Sequence, residues 1–221
     1  MEINLHGIGG ILFDLDGTLL NTLHDLGNAV NRVLSKHNFP THELNAYRYF
    51  IGDGTKMLII RALPDHQRHE EQIQTCLDEF KRDYEQNWNI ETSLYPGISD
   101  LLDAVSSRRI KLAVLSNKPH KLTQMCVEHF LSKWTFDVVM GQQPSIPKKP
   151  HPAGALAIAK QMKIAPSDFC YVGDTAVDMK TACAAGMFPI GVMWGFRQLE
   201  ELQTSGAAAL VSKPLDILKY C

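Results

Sequence analysis

The stretch Ile11-Leu12-Phe13-Asp14-Leu15-Asp16-Gly17-Thr18 is an apolar run that ends in two carboxylates. A carboxylate at the mouth of a buried strand is costly unless it is paired or bound to a metal. Residues two apart on an extended strand face the same side. Asp14 and Asp16 are therefore expected to share one site, with Gly17 free to take the backbone geometry of a tight exit turn. Two like charges at that spacing need a cation, or one of them keeps a proton. A divalent metal together with a phosphoryl group would account for both acids.

Outward from this octet, short apolar runs recur at 112–115, 136–140, 169–172 and 189–194. They are rich in Val, Ile and Phe and do not alternate with polar residues, which is the pattern of strands buried on both faces of a parallel sheet. Helical stripes lie between them: Ile98, Leu101, Leu102 and Val105; Leu122, Met125, Cys126, His129 and Phe130; Ala155, Leu156, Ala159 and Met162. This alternation predicts an α/β, doubly wound parallel sheet, with 209–211 as a last edge strand. The stretch before Tyr95 breaks the rhythm. It holds three helical stripes, around Leu23–Leu34, Met57–Arg61 and Ile73–Trp88, and no strand run. A first crossover of that length predicts an inserted all-helical domain over 21–92. The α/β core then comprises 1–20 and 93–221, and Tyr95-Pro96-Gly97 punctuates the return.

The remaining carboxylates and cations of interest stand at the ends of the later runs. Ser116 and Asn117 follow 112–115, where a hydroxyl and backbone N–H groups at a strand end suit an anion. Lys148-Lys149-Pro150-His151-Pro152 precedes a helix, and a lysine there can neutralise charge at one point. Lys118 is expected to point elsewhere, and His151 to serve the start of the helix. Gly173-Asp174-Thr175-Ala176-Val177-Asp178 follows 169–172. Asp174 faces the same mouth as Asp14, while Asp178 sits one helical turn on. It has three candidate tasks: binding metal through water, orienting Lys149, or answering the helix dipole.

Taken in order, D-x-D-G-T at Asp14, Ser116 after a strand, K-P-x-P at Lys149 and G-D-x-x-x-D at Asp174 resemble the four motifs of the haloacid-dehalogenase-like phosphohydrolases. Ile51-Gly52-Asp53-Gly54, Leu94-Tyr95-Pro96-Gly97 and 192–197 resemble the phosphoglycolate phosphatase branch. The resemblance implies that Asp14 is the nucleophile and Asp16 the general acid and base. Ser116, the backbone at Asn117 and Lys149 would hold the phosphate. Mg2+ would sit on Asp14, the Asp16 backbone carbonyl and Asp174, with Asp178 behind them. It further implies a small phosphate monoester, 2-phosphoglycolate first, with Gly52, Lys56 and Arg61 as cap contacts. A phosphatase or phosphomutase for sugar phosphates or nucleotides, and a catalytically silent binding protein of the same fold, are the competing expectations.

The chain of 221 residues carries a formal charge of -2. That balance gives no reason to expect nucleic acid or an anionic membrane as a partner. Five cysteines without a C-x-x-C pair suit reduced thiols. With no long uncharged apolar stretch, the expectation is a cytoplasmic protein, monomeric or homodimeric, acting on a small molecule.

Overall fold

A computed structural model describes residues 7–108 and 110–221. The chain enters through strand β1 (Gly10–Phe13) and a two-residue strand β2 (Leu20–Asn21). It then forms helices α1 (Leu23–Lys36), α2 (Tyr47–Phe50), α3 (Thr55–Ala62) and α4 (Glu70–Asn87), and returns through β3 (Ser93–Leu94). From there strands and helices alternate: α5 (Ile98–Ser107), β4 (Lys111–Pro119), α6 (His120–Phe130), β5 (Val138–Gln142), α7 (Ala153–Met162), β6 (Phe169–Gly173), α8 (Ala176–Ala185), β7 (Phe188–Val192), α9 (Leu199–Thr204) and β8 (Ala209–Val211).

Six strands form one sheet in the order β5-β4-β1-β6-β7-β8, every neighbouring pair parallel. Successive residues of β1 explain the unbroken apolar run. Ile11 and Phe13 pack into the core on one face, with α5 and α6. Leu12 packs into the core on the other, with α7 and α8. Both faces are covered, so no polar residue is wanted at either set of positions. The chain builds to one side of β1 through β4 and β5, then crosses to β6 on the other. The carboxyl ends around β1 are therefore the crevice where an open α/β sheet binds its ligand.

The expected edge strand 209–211 is β8. The runs at 136–140 and 189–194 are displaced by two residues or fewer from β5 and β7. One difference matters. The strand expected over 112–115 does not stop there: β4 stays extended to Pro119 and pairs it with Gln142 of β5 after a register shift. The antiparallel ribbon of β2 and β3 was also not anticipated; two residues per strand leave no periodic signal.

That ribbon brings the two ends of the helical segment together, and a buried acid fastens them. Asp25 in the first turn of α1 accepts the N–H groups of Glu91 (3.0 Å) and Thr92 (2.9 Å) and the Thr92 hydroxyl (2.7 Å). A buried carboxylate with this many donors is satisfied, and removing it leaves the donors without partners. Among the described residues no helix is long and apolar enough to cross a membrane. Asp25→Ala is expected to cost about 2–4 kcal/mol in urea unfolding, because several buried N–H and O–H groups lose their acceptor at once. A loss below about 0.5 kcal/mol, the range of an ordinary surface change, would show that the return segment does not depend on it.

Candidate active site

Parallel pairing places the ends of β1, β4 and β6 side by side, and the polar residues of the sequence motifs collect there. The Asp14 N–H donates to Val172 of β6 at 2.9 Å, so the first acid leaves β1 still in sheet register. Asp174 follows β6 directly and is fully buried. It accepts the Thr18 hydroxyl (3.0 Å) and the Phe196 N–H (2.8 Å). The backbone is crowded around it. Gly17 has φ +88°, and a Cβ there would meet Asp174 Oδ2 at 2.3 Å; a Cβ on Gly195 would meet Asp174 Cβ at 2.2 Å. Glycine is required at both positions for the acid to fit.

Lys149 is buried between carboxylates. Its Nζ lies 2.8 Å from Asp14 Oδ1 and 2.7 Å from Asp178 Oδ1, and it donates to the Leu115 carbonyl at 3.1 Å. Burial alone would lower the ammonium's pKa, yet Asp14 and then Asp178 hold it well above the ordinary lysine value. Asp178 also closes a capping box at the start of α8, accepting the Thr175 N–H (3.1 Å) and hydroxyl (2.7 Å). Two of its anticipated tasks, orienting Lys149 and serving the helix start, are therefore carried by one side chain. His151 accepts the Ala153 N–H at 3.1 Å at the start of α7, as its helix-start reading anticipates.

Lys118 contradicts the sequence reading. It does not point elsewhere but inward, 6% exposed, with Nζ 3.0 Å and 3.3 Å from the two oxygens of Asp16 and 2.9 Å from the Tyr84 hydroxyl of α4. The signal was present in the alternation. With β4 extended, Ser116 and Lys118 share a face. Tyr84 lies on the helical stripe Ile73–Trp88, on the buried face of α4. Burial pushes its hydroxyl pKa up, so it remains a neutral phenol beside the ammonium.

Ser116 accepts the Lys118 N–H at 3.1 Å. The Asn117 side chain ties three segments. Its Oδ1 accepts the Lys149 N–H (2.9 Å), and its Nδ2 donates to the carbonyls of Lys149 (3.1 Å) and Gly52 (3.0 Å). Gly52 thus reaches the site through its backbone. Lys56 and Arg61, anticipated as substrate contacts, do not. Lys56 is exposed and pairs with Glu70 at 2.7 Å; Arg61 pairs with Asp53 at 2.5 Å and donates to the carbonyl of Phe50 at 3.1 Å. Each has an acidic partner on its own segment, and neither lines the cavity.

That cavity measures about 50 Å³ and lies between the strand ends and the helical segment. Asp14, Asp16, Ser116, Lys118 and Lys149 supply its polar wall; Leu26, Leu58, Phe80 and Leu122 are among its apolar lining. Asp14, Asp174 and Asp178 offer carboxylate oxygens within 4.8 Å of one another. With Asp16, four carboxylates face two ammonium groups, leaving two negative charges when all are ionised. Burial first, and the charge on Asp178 second, hold Asp14 well above the usual carboxylate range and push Asp174 up to about 7. A hard divalent cation with oxygen ligands is the group that donor set fits. The Asp16 carboxylate is engaged by Lys118.

Comparison with known proteins agrees with this geometry. Residues 11–192 match the model of the haloacid dehalogenase-like hydrolases. The chain is 31% identical over 201 residues to the phosphoglycolate phosphatase of Colwellia psychrerythraea, covering 89% of each. It is 35% identical over 188 residues to that of Cereibacter sphaeroides, covering 80% of this chain and 82% of the relative. A haloacid dehalogenase-like hydrolase from Streptococcus pneumoniae superposes with a TM-score of 0.87 at 26% identity, over 96% of this chain and 98% of the other. The chain belongs to the haloacid dehalogenase-like hydrolases, on their phosphoglycolate phosphatase-like branch.

The raised Asp174 pKa has a sign that can be tested. An unfolded carboxyl has released its proton above about pH 4, whereas folded Asp174 keeps it to about 7. Its contribution to stability is therefore lost as pH rises through that window. In chelator, Asp174→Asn should gain melting temperature relative to the wild type between about pH 5 and pH 8. At the higher pH, Mg2+ at about a hundredfold over its Kd should stabilise the wild type by about 2.7 kcal/mol and the variant by much less. Equal Mg2+ shifts in both proteins would remove Asp174 from the cation site.

Proposed function

We propose that this phosphoric monoester hydrolase is a Mg2+-dependent phosphatase of 2-phosphoglycolate, working through an aspartyl-phosphate on Asp14. The observation that carries the reading is Asp14 itself. It is a buried carboxylate at a strand end, 2.8 Å from Lys149, on the wall of a cavity it shares with Asp16 and Ser116.

Each residue has a task its position supports. An oxygen of Asp14 attacks phosphorus in line, and the bond to the ester oxygen breaks. Asp16 gives its proton to the leaving oxygen. It then takes one from the water that attacks the aspartyl-phosphate, which returns Asp14 to its carboxylate. Ser116, the backbone of Asn117 and Lys149 hold the phosphoryl oxygens, since phosphoryl transfer demands position and charge neutralisation above all. Asp14, the Asp16 carbonyl and Asp174 would hold Mg2+, which supplies neutralisation of the phosphate charge when bound. The helical segment 21–92 acts as a cap on the core of 1–20 and 93–221, closing over the ester and excluding water. The cavity supports a small substrate: by the same measure a single water needs roughly 10–15 Å³. The relatives from Colwellia psychrerythraea and Cereibacter sphaeroides support the glycolate ester in particular.

Asp14→Asn should keep the fold and lower phosphate release by at least about a thousandfold, because an amide forms no acyl phosphate; wild-type-like turnover would end the assignment. Asp16→Ala should slow alkyl phosphates more than aryl phosphates by at least about tenfold in kcat/KM, since a phenolate leaves without a proton. An equal loss on both would make Asp16 a structural residue. For the substrate, a panel of 2-phosphoglycolate, sugar phosphates, nucleoside monophosphates and pyrophosphate decides. A rival ahead by more than about tenfold in kcat/KM, roughly 1.4 kcal/mol of transition-state preference, would displace the glycolate and leave the phosphatase reading in place.

A further inference from the structure

Lys118 is costly where it stands. Its ammonium is buried in a cavity with Leu26, Phe80 and Leu122 in the lining. It is held by Asp16 at 3.0 Å and by the Tyr84 hydroxyl at 2.9 Å, with its Nζ 4.8 Å from the Tyr84 ring centre. A buried ion pair is seldom kept for stability, because apolar residues of the same volume do as well or better. Lys149, the other cation on the cavity wall, is committed to Asp14 and Asp178. That leaves Lys118 as the cavity cation whose charge the phosphoryl-transfer steps do not use.

Its neighbour gives the clue. In the proposed reaction Asp16 faces the ester oxygen of the leaving group, and Lys118 faces Asp16. Whatever is attached to that oxygen therefore lies against Lys118. In 2-phosphoglycolate a single methylene separates the ester oxygen from a carboxylate, so a molecule hydrogen-bonded to Asp16 presents its second anion within reach of the same ammonium.

Building on the glycolate reading, we propose that Lys118 is the specificity residue for an anionic leaving group. Its ammonium turns from Asp16 to the substrate's carboxylate, with the Tyr84 hydroxyl of α4 steering it. The cap thereby contributes to substrate choice through a residue of the core.

The test compares kcat/KM for 2-phosphoglycolate with that for its uncharged amide, carbamoylmethyl phosphate, in the wild type, Lys118→Met, Lys118→Arg and Tyr84→Phe, with Mg2+ present. The wild type should prefer the carboxylate. Lys118→Met should lower that ratio by at least about tenfold, mainly through KM for 2-phosphoglycolate, and Lys118→Arg should restore part of it. Tyr84→Phe keeps the ring, so it remains informative if Lys118→Met fails to fold; its ratio should fall by about threefold. A Lys118→Met protein that loses both esters equally, or an unchanged ratio in Tyr84→Phe, would overturn the proposal and leave Lys118 as a residue that positions Asp16. A wild type with no preference for the carboxylate would overturn the glycolate reading itself, and the role of Lys118 with it.

Discussion

One ammonium between two buried carboxylates is the constraint that the rest of the site depends on. Lys149 touches both Asp14 and Asp178. An unpaired charge buried there would cost more than a fold of ordinary stability can absorb. The arrangement in turn fixes its surroundings. Asn117 holds the Lys149 backbone from β4, the Leu115 carbonyl takes its third proton, and the capping box of α8 holds Asp178. Three strand ends and one helix start are thereby locked to a common point. A cluster so expensive, in a core that apolar residues could fill, is better explained by chemistry than by stability.

The helical segment and the core meet through a different kind of contact. Arg197 donates to the carbonyls of Arg48 and Ile51, Lys148 to that of Asp53, and Asn117 to that of Gly52; Arg48 returns the contact on the Gly195 and Phe196 carbonyls. All of these bonds end on backbone carbonyls, and Arg48 is the residue of segment 48–53 that contributes a side chain to them. The positive φ of Gly52 and Gly54 lets that segment turn toward the core before α3 begins. Because Lys56 and Arg61 are occupied within the helical segment, the lysines that line the cavity are Lys118 of β4 and Lys149 before α7.

Much of this was legible in the sequence, for identifiable reasons. Strands buried on both faces have no polar positions, so β1, β4 and β6 appear as plain apolar runs. In a parallel sheet every strand ends on the same side, so acids and amines placed just after such runs must converge. Asp14, Asp174 and Ser116 were found that way, whereas Lys149 was placed by its resemblance to the K-P-x-P motif. Lys118 was not found, because the apolar run stops at Leu115 while β4 continues through four further residues to Pro119. With Ser116 and Lys118 on one extended segment, period two puts them on a common face, and the contacts of Lys118 with Asp16 and Tyr84 fix its direction. Lys56 and Arg61 illustrate the opposite failure. A basic residue on a short helix has no periodic signature that separates a ligand contact from an ion pair, and Glu70 and Asp53 decided the matter through tertiary placement.

The apolar wall of the cavity gives these charges their weight. Ion pairs exposed to water are worth little, but Asp16, Lys118 and Lys149 lie where Leu26, Leu58, Phe80 and Leu122 line the same space. Lowering the effective dielectric strengthens every charge–charge contact inside, and it raises equally the cost of any charge left unpaired. On the proposed reading, a divalent cation on the carboxylates would join these two ammonium groups in offsetting the charge of a small anionic ester.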